Sequence, residues 1–423
     1  MTSAALKNPK LRFPEFKDHW GKVSIKDLTN RVSIPVTVEN DQLYTQIGIR
    51  SHGKGLFHKQ AVTGKELGNK RVFWVKNGLF VVNIVFAWEQ AVAKTTRNEL
   101  GTIASHRFPM FRPKSDLLNL DFLLFSFLTK RGKSLLELAS PGGAGRNKTL
   151  GQEEFNRTKI NVPCVEEQEK IADFLLAVDE KILQLTNKKE LLLKYKKGLM
   201  RQIFDQKIRF KDKNGNDFAD WKEKRFGELF LFLPTNSFSR EDLNYLEGDV
   251  RNIHYGDIHT KFRALLNADE EEIPFINKEI SLAQISEANY LRTGDLVFAD
   301  ASEDYADVGK CIEIGRTNGQ RMLSGLHTLL ARPKGNELAR IFGAYLMQSS
   351  SVRRQIIREA QGTKVLGIST ARLAKVKFML PPLAEQAKIA AFISTLERKI
   401  EIVSRELKEV RVFKNSLLQQ MFV

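Results

Sequence analysis

Two segments with the same heptad pattern of apolar residues constrain this fold more than any other feature. Steps of four and three residues through each segment fall mainly on aliphatic side chains. Such a seam is typical of helices that pair in a coiled coil. The predicted seam consists of Ile171, Leu175, Val178, Ile182, Leu185, Leu192, Leu199 and Ile203 in the first helix, and of Ile389, Ile393, Leu396, Ile400, Val403, Leu407, Val410, Leu417 and Met421 in the second.

Lysines interrupt this apolar seam at Lys189, Lys196 and Lys414. Lys196 and Lys414 occupy the same position in the two segments. A lysine in a seam can extend its ammonium group to solvent or to an acidic residue of a partner helix. The sequence leaves both possibilities open.

The rest of the chain is also duplicated. The motif Leu11-Arg12-Phe13, followed by Trp20, recurs as Ile208-Arg209-Phe210, followed by Trp221. The separation between matching residues is 201 at the tryptophans and 220 at two Arg-Pro-Lys motifs, but 218 throughout the helical segments. One inserted residue would rotate a seam by about 100°, whereas surface loops tolerate insertions. The predicted divisions are an arm (1–10), a globular domain (11–162), a helix (163–205), a second domain (206–380) and a second helix (381–423).

Length and charge limit the classes of function that this chain can have. The chain has 423 residues, too many for one ordinary core, and its 67 basic and 50 acidic residues give a net charge of +17. That excess favours a polyanion or an acidic partner, although a basic surface that aids solubility is the plain alternative. Two distant cysteines, Cys164 and Cys311, predict neither disulfides nor a zinc module. No signal sequence or membrane-spanning run is apparent, so we expect a cytoplasmic protein without a membrane partner.

The motifs of common enzyme classes are missing or incomplete. Gly132-Lys133-Ser134 resembles the end of a phosphate-binding loop, but Phe127 stands where the first glycine is needed. The double proline Pro381-Pro382 precedes a helix, and the pair His254 and His259 has no metal-ligand spacing. We therefore predict no catalytic residue, no metal site and no cofactor bound by this chain.

Both helix starts resemble a known family. The segments Val162-Pro163-Cys164-Val165-Glu166-Glu167-Gln168 and Pro381-Pro382-Leu383-Ala384-Glu385-Gln386, with the two tryptophan motifs, are similar to the specificity subunits of type I restriction-modification systems. The resemblance covers nearly the whole chain. It implies an α+β fold: two mixed α/β target recognition domains separated by two long antiparallel coiled-coil helices, in a pseudo-two-fold internal repeat.

The resemblance also implies a function. Each domain would read one half of a bipartite, asymmetric site in double-stranded DNA. The helices would set the spacing and dock two methyltransferase (modification) subunits, which restriction subunits join. S-adenosylmethionine, ATP and Mg²⁺ would then belong to those partner subunits.

Candidate DNA contacts lie where hydrogen-bond donors occur beside glycines that permit close approach. Arginine can bind guanine edges, asparagine can pair with adenine, and lysine mostly binds phosphate. We expect two recognition loops, near residues 49–59 and 251–261, and two loops that precede the long helices. The predicted contacts are Arg50, Ser51, His52, Lys54, His58, Lys70, Arg71, Arg146, Asn147 and Lys148 in the first repeat, and Arg251, Asn252, His254, Tyr255, His259, Lys261, Thr363 and Lys364 in the second.

Two other functions compete with this interpretation. A stand-alone repressor that dimerises through its coiled coils would bind DNA tightly without a methyltransferase partner. An RNA-binding scaffold is disfavoured because the chain lacks an aromatic-rich RNA motif.

Overall fold

The computed structural model describes residues 8–142 and 148–423, which divide into two compact units. Unit 1 comprises the chain up to Asn187 together with Ser404–Val423, and unit 2 comprises Lys188–Val403. Each unit thus contains one globular domain, the first part of the long helix that follows it, and the last part of the other long helix.

Unit 1 is built from short strands and helices that surround an apolar core. Its strands are β1 (Gly21–Ser24), β2 (Thr29–Val32), β3 (Leu43–Tyr44), β4 (Ile47–Ile49), β5 (Leu56–His58), β6 (Val62–Thr63), β7 (Val72–Trp74), β8 (Phe80–Val82), β9 (Val92–Lys94), β10 (Ile103–Ser105), β11 (Met110–Pro113) and β12 (Lys159–Val162). Its helices are α1 (Ile25–Leu28), α2 (Gly64–Leu67), α3 (Leu120–Leu128), α4 (Lys130–Leu138), α5 (Gln152–Arg157) and the first part of α6 (Val165–Phe204), with 3₁₀ turns at Ala87–Glu89 and Arg97–Glu99.

Unit 2 has the same kinds of element. Its strands are β13 (Lys222–Arg225), β14 (Phe230–Leu233), β15 (Leu243–Asn244), β16 (Val250–Ile253), β17 (Leu265–Leu266), β18 (Phe275–Ile276), β19 (Leu296–Ala299), β20 (Ala301–Ser302), β21 (Cys311–Ile314), β22 (Arg321–Ser324), β23 (Thr328–Pro333), β24 (Leu366–Gly367) and β25 (Lys377–Leu380). Its helices are α7 (Phe226–Leu229), α8 (Tyr255–Thr260), α9 (Phe342–Gln348), α10 (Ser350–Glu359), α11 (Thr370–Leu373) and the first part of α12 (Leu383–Gln420), with 3₁₀ turns at Arg240–Asp242 and Glu287–Asn289.

The central sheets of the two units have matching strand orders. Unit 1 has the antiparallel order β2-β11-β8-β9, and unit 2 has β14-β23-β19-β21, to which β17 adds in parallel. In both units an antiparallel ribbon, β1–β12 or β13–β25, links the start of the domain to the strand before the long helix. The repeat in the sequence is therefore a repeat of the structure.

Two glycines in left-handed turns start the matching central strands. Gly78 has φ +70° before β8, and Gly294 has φ +93° before β19. A residue with a side chain is strained in that region, so glycine suits both turns. The Arg-Pro motifs end β11 and β23, where proline does not remove a hydrogen bond from the sheet interior.

A buried glutamate in the first turn of each long helix holds the start of its domain. In unit 1, Arg12 donates from Nε and Nη2 to the Glu167 carboxylate (2.8 and 2.7 Å), and Trp20 Nε1 donates to the same group (3.3 Å). In unit 2, Arg209 and Trp221 bind Glu385 in the same way, with the indole N–H at 2.9 Å. Both carboxylates are almost fully buried. We call each set an Arg-Glu-Trp clamp.

The glutamine that follows each clamp glutamate fixes the helical part of its domain. Gln168 donates to the carbonyl oxygens of Leu117 and Pro163 and accepts from the N–H of Asn119. Gln386 makes the equivalent bonds in unit 2, to Glu337, Pro381 and Ala339. Buried side-chain amides need such partners, so the Glu-Gln pair orients each domain on its helix.

The end of each long helix returns to the tryptophan of the neighbouring domain. Within unit 1, Phe422 packs edge-on against Trp20, with ring centroids 6.3 Å apart. Within unit 2, Phe204 packs against Trp221 at 6.5 Å. Each domain is therefore packed against the start of its own repeat's helix and the end of the other repeat's helix.

Residues of the seam are buried or half-buried in both units. In unit 1 the buried positions include Leu175 and Leu417, and Ile182 is half-buried. In unit 2 Ile389, Ile393 and Val403 are buried, whereas Leu192, Leu199 and Ile400 are half-buried. The remaining positions, buried in unit 1 or unit 2, are Ile171, Val178, Leu185, Ile203, Leu396, Leu407 and Met421, with Val410 half-buried.

The equivalent seam lysines bind acids on the facing helix. In unit 1, Lys414 donates to both carboxylate oxygens of Asp179 (2.5 and 2.7 Å). In unit 2, Lys196 pairs with Glu397, which also accepts from the Tyr345 hydroxyl (2.7 Å). The lysines are only 17% and 18% exposed. The seam lysines Lys196 and Lys414 thus act as cross-helix links within their own units. In unit 1, Lys181 also pairs with Glu406, so the facing parts of α6 and α12 run antiparallel there.

A buried carboxylate makes the stability of unit 2 depend on pH. Burial raises the pKa of Glu313 in β21 to about 7. The N–H groups of Ile341 and Ala344, which donate to its carboxylate (2.5 and 3.1 Å), oppose that rise only in part. The folded protein holds this proton more tightly than the unfolded chain. Its stabilising contribution is therefore full below pH 4.5 and is lost as the pH rises through 7.

Between pH 5 and pH 8, the free energy of unfolding of unit 2 is expected to fall by about 2.5 kcal/mol because of Glu313. Glu313→Gln should flatten that dependence, since glutamine does not ionise. Chemical denaturation of both proteins across this range measures the difference. Identical pH slopes would contradict the assignment.

Candidate nucleic-acid interface

Several segments of unit 1 meet where β8 finishes and β11 begins, which we call the loop end of unit 1. Ile84 follows β8, and its N–H donates to the carbonyl oxygen of Arg107 in the β10–β11 turn (3.0 Å). Ile84 O accepts from Leu150 N (2.8 Å), in the segment that leads to the long helix. Two loops distant in sequence are thereby tied to the same residue.

The tip of the β4–β5 hairpin joins the same end. His52 N donates to Glu89 O (2.7 Å), Gly53 N donates to Gln90 O (3.0 Å), and the Ser51 hydroxyl donates to the Glu89 carboxylate (2.8 Å). Gly53 has φ +64°, and a Cβ there would lie 2.5 Å from Leu128. Glycine is required for this close approach.

Aromatic rings support two cations at the loop end of unit 1. The Arg50 guanidinium lies 4.8 Å from the Phe57 ring centroid and donates to Leu56 O (2.8 Å). The Lys148 ammonium lies 5.7 Å from the Trp88 ring. Stacking restricts these side chains while leaving other donors available, which reduces the entropy lost on binding a polyanion.

Unit 2 has a loop end built on the same main-chain bonds. Asp300 follows β19, and its N–H donates to His327 O in the β22–β23 turn (3.0 Å). Its own carbonyl accepts from Ile368 N (2.8 Å), in the segment before the second long helix. Strands β20 and β24 strengthen this junction through the pairs Ala301–Gly367 and Ser302–Leu366.

Helix α8 occupies the loop end of unit 2, where unit 1 has a hairpin. The ring of Tyr255 lies near three imidazoles: His254 (4.6 Å), His259 (6.0 Å) and His327 (5.3 Å). His259 Nε2 lies 2.9 Å from Ala301 O, and Lys310 Nζ donates to His259 O (2.6 Å). The side chains offered by this surface therefore differ from those of unit 1.

Most of the described contact residues predicted for the first repeat lie at or beside its loop end. Arg50, His52 and Lys54 are exposed on the hairpin tip, with Ser51 half-buried beneath them. Lys70 and Arg71 are exposed before β7, and Arg71 O accepts from His106 N in the β10–β11 turn (3.2 Å). Lys148 is half-buried over Trp88. Arg146 and Asn147 lie outside the described residues.

His58 lies apart from that group. It is exposed at the end of β5, and its Nε2 is 3.4 Å from the Glu99 carboxylate, near the opposite end of the sheet. The structure therefore does not bring His58 together with Arg50 and Lys54.

The expected second recognition loop is instead strand β16 followed by helix α8. Asn252 is fully buried and accepts from the Asn236 side-chain amide (2.8 Å), and His254 is only 6% exposed. Arg251 is half-buried with its guanidinium 4.7 Å from the Phe275 ring. The expectation of a loop was wrong here, because strand pairing and burial organise this stretch.

The remaining predicted residues of the second repeat are accessible. Lys261 and both loop residues before the long helix, Thr363 and Lys364, are exposed, and Tyr255 and His259 are half-buried. Lys261 donates to the Tyr245 hydroxyl (2.6 Å). These side chains can take part in a surface, whereas Asn252 and His254 support it from below.

Charge differs between the two loop ends. Burial raises the pKa of Asp300, although nearby His327 opposes this change. Burial lowers the pKa of His254, and the charge of Arg240 lowers it further. Glu303, Asp304 and Asp307 follow β20. Unit 2 thus presents a mixed surface, and unit 1 a mainly cationic one.

Sequence reasoning missed several residues of the loop ends. Arg107 and His327 are exposed in equivalent turns, Trp88 supports Lys148, and Lys310 binds the carbonyl of His259. Each turn comes shortly before an Arg-Pro motif that the sequence comparison did align. That alignment could have drawn attention to them.

Within residues 8–142 and 148–423, no group of three acidic, histidine or cysteine side chains is arranged to hold a metal ion. Over the same residues, no helix is both long and apolar enough to cross a membrane.

Two α+β domains, each clamped to the start of a long paired helix and presenting a polar loop end, define a two-domain recognition protein. The family described as the type I restriction modification DNA specificity domain matches residues 44–195 and 219–412, and the chain belongs to that family. Membership confirms the resemblance predicted from the helix starts. It identifies both matched ranges as DNA specificity domains.

Curated relatives come from Methanocaldococcus jannaschii. The type I restriction enzyme MjaVIII specificity subunit is 25% identical over 62% of this chain and 61% of its own length. The putative type I restriction enzyme MjaX specificity subunit is 23% identical over 73% of this chain and 68% of its own length. The match thus spans about three fifths of the first relative.

Solved structures share the fold. The type I restriction-modification S subunit from M. genitalium aligns with a TM-score of 0.57 and 14% identity, over 99% of both chains. A chain from a structural study of complex assembly and conformational transition of the type I R-M system aligns with a TM-score of 0.57 and 16% identity, over 95% of this chain and 97% of that chain. These similarities confirm the predicted α+β class with two domains.

Proposed function

We propose that this chain is the DNA-recognition subunit of a type I restriction-modification complex and that each unit reads one half of a bipartite, asymmetric DNA site. The observation that carries this proposal is the loop end, which both units build with the same main-chain bonds but cover with different side chains. A common scaffold with divergent surfaces suits two readers of different half-sites.

The chemistry of the loop ends supports duplex DNA as the ligand. Exposed arginine and lysine can bind phosphates or guanine edges, and the net charge of +17 attracts a polyanion. The long paired helices read no bases in this proposal. They hold the two readers at a fixed spacing and carry the partner subunits.

Two exposed aromatic residues support docking of two modification subunits on the helices. Tyr195 and Phe413 are 218 residues apart, and each directly precedes an equivalent seam lysine. Tyr195, in unit 2, is 56% exposed, and Phe413, in unit 1, is 50% exposed. Large exposed aromatics on a soluble helix are typical anchors of protein interfaces. One anchor in each repeat suits two copies of the same partner.

Tyr195→Glu or Phe413→Glu is expected to remove one modification subunit from the complex, and the double variant both, because a charge replaces the apolar anchor. Light scattering of the complex purified after co-expression measures the stoichiometry. Asn415→Glu, an exposed substitution on the same helix as Phe413, serves as the control. A double variant that still binds two subunits would exclude these anchors.

Co-expression with the modification subunit also tests the whole proposal, by mapping adenine methylation across the host genome. A split, asymmetric motif is expected. In this proposal S-adenosylmethionine, ATP and Mg²⁺ are bound by the modification and restriction subunits, and the complex acts in the cytoplasm. Tight, specific DNA binding by the isolated chain with no new methylation would favour a repressor instead.

Arg50→Ala combined with Lys54→Ala is expected to lower methylation about tenfold or more, since the two cations share one hairpin tip. The sequence preference should change only in the half-site read by unit 1. Sequencing of methylated sites measures both half-sites separately. The control is Lys22→Ala with Lys26→Ala, which removes two exposed cations at β1 and α1. An unchanged motif and occupancy would remove this hairpin from the reading surface.

A further inference from the structure

Arg107 and His327 occupy the same position in the two repeats. In unit 1, β11 pairs with β8 so that Phe111 faces Phe80, and in unit 2, β23 pairs with β19 so that Ala331 faces Leu296. These pairs align the strands residue by residue. Counting back four residues along each strand leads to Arg107 in one turn and His327 in the other.

The main chain holds both residues in the same way. Arg107 O accepts from Ile84 N, and His327 O accepts from Asp300 N, both at 3.0 Å. Ile84 and Asp300 in turn accept from the segments that lead to the long helices. The turn position is thus fixed by bonds independent of its side chain, so the side chain can change without altering the scaffold.

Both side chains face solvent, but their surroundings differ. Arg107 is exposed beside His106, in a mainly cationic region. The His327 imidazole is 53% exposed, packs edge-on against Tyr255, and has Nδ1 3.3 Å from the Asp300 carboxylate. His327 also has φ +53°, which is uncommon for a residue with a side chain and recurs at functional positions. Because Nδ1 faces the Asp300 carboxylate, Nε2 is the ring nitrogen that remains for a contact with another molecule.

We propose that this turn position determines specificity in both half-sites, with Arg107 selecting a guanine in one and His327 making a single, less selective base contact in the other. This inference rests on the proposed function. The arginine fork can donate to guanine O6 and N7 together. An imidazole whose Nδ1 faces a carboxylate has only Nε2 for a base edge, so it distinguishes bases less sharply.

Reciprocal substitution tests the assignment in the complex co-expressed with its modification subunit, with genomic methylation as the readout. Arg107→His should reduce the preference for guanine at one position in the half-site of unit 1 roughly ten- to hundredfold. His327→Arg should create a guanine preference at one position in the half-site of unit 2. Each change should leave the other half-site as it was.

Two further variants keep the result interpretable. Arg107→Lys retains the charge but lacks the two parallel donors of the guanidinium group. It should therefore reduce the same guanine preference while preserving overall DNA affinity. Arg157→His, an exposed substitution at the end of α5, should leave the motif unaltered. Melting temperatures verify that all variants are folded.

The failures can be told apart. If the unsubstituted protein and Arg157→His methylate a split motif, and Arg107→His and His327→Arg give that same motif at the same occupancy, the specificity assignment is overturned. If the unsubstituted protein itself directs no methylation, the proposed function fails and the turn assignment fails with it.

Discussion

Leu175→Asp is expected to unfold unit 1, with a loss of about 4 kcal/mol or more in its free energy of unfolding. Leu175 is fully buried in the seam of α6. An aspartate there would bury an unpaired carboxylate and also leave a cavity where the leucine packed. Loss of that packing should detach the end of α12 from unit 1.

The neighbouring residue provides a matched control. Leu176 lies on the same helix and is 40% exposed, so Leu176→Asp should change stability by only a fraction of the effect at Leu175. Denaturant unfolding combined with limited proteolysis measures the difference. Equal stability of the two variants would mean that α6 does not pair through the predicted seam.

Glu385→Ala is expected to destabilise unit 2 by about 3 to 5 kcal/mol, because the arginine charge and the indole N–H of its clamp lose their acceptor. Arg209 is 21% exposed and Trp221 is 5% exposed, so water replaces the carboxylate poorly. The start of the domain should separate from α12 before the sheet unfolds.

Each clamp provides a control for the other, because the two clamps lie in different units. Glu167→Ala should loosen unit 1 and Glu385→Ala should loosen unit 2, which domain-resolved hydrogen exchange can distinguish. Glu190→Ala removes an exposed glutamate from α6 and should have little effect. Protection lost equally in both units after one substitution would contradict separate clamps.

Features set by local periodicity could be predicted from the sequence. The heptad seam depends on spacing within one helix, and the constant separation of 218 residues identified both helices as copies. The sequence could not show which acids the seam lysines bind. Their partners Asp179 and Glu397 lie on the facing helix, more than 200 residues away in sequence.

The candidate DNA interface depends on contacts between distant segments, which a single sequence does not reveal. His254 and Asn252 have side chains suited to DNA, yet strand pairing buries them. Conversely, Arg107 and His327 stand in short turns without a motif of their own. Their place at the loop ends follows from sheet order and from bonds to Ile84 and Asp300.

The sequence repeat matches Glu167 with Glu385, but it predicts for them only the role of acids that suit a helix amino terminus. Their arginine partners are separated from them by 155 residues in unit 1 and 176 residues in unit 2. The matching motifs around Arg12 and Arg209 carried the necessary signal. The glutamate that each arginine binds is evident only in the structure, where the domain packs on its helix.

The packing of Phe422 on Trp20 and of Phe204 on Trp221 has a consequence for half-length chains. A protein with one repeat alone would lack the helix end that covers its own tryptophan. Two such chains could exchange helix ends. Each would then complete the other in a domain-swapped homodimer with two identical loop ends. Fusion of duplicated halves would then allow the two loop ends to diverge. Under the proposed function, that change would turn recognition of a palindrome into recognition of an asymmetric site.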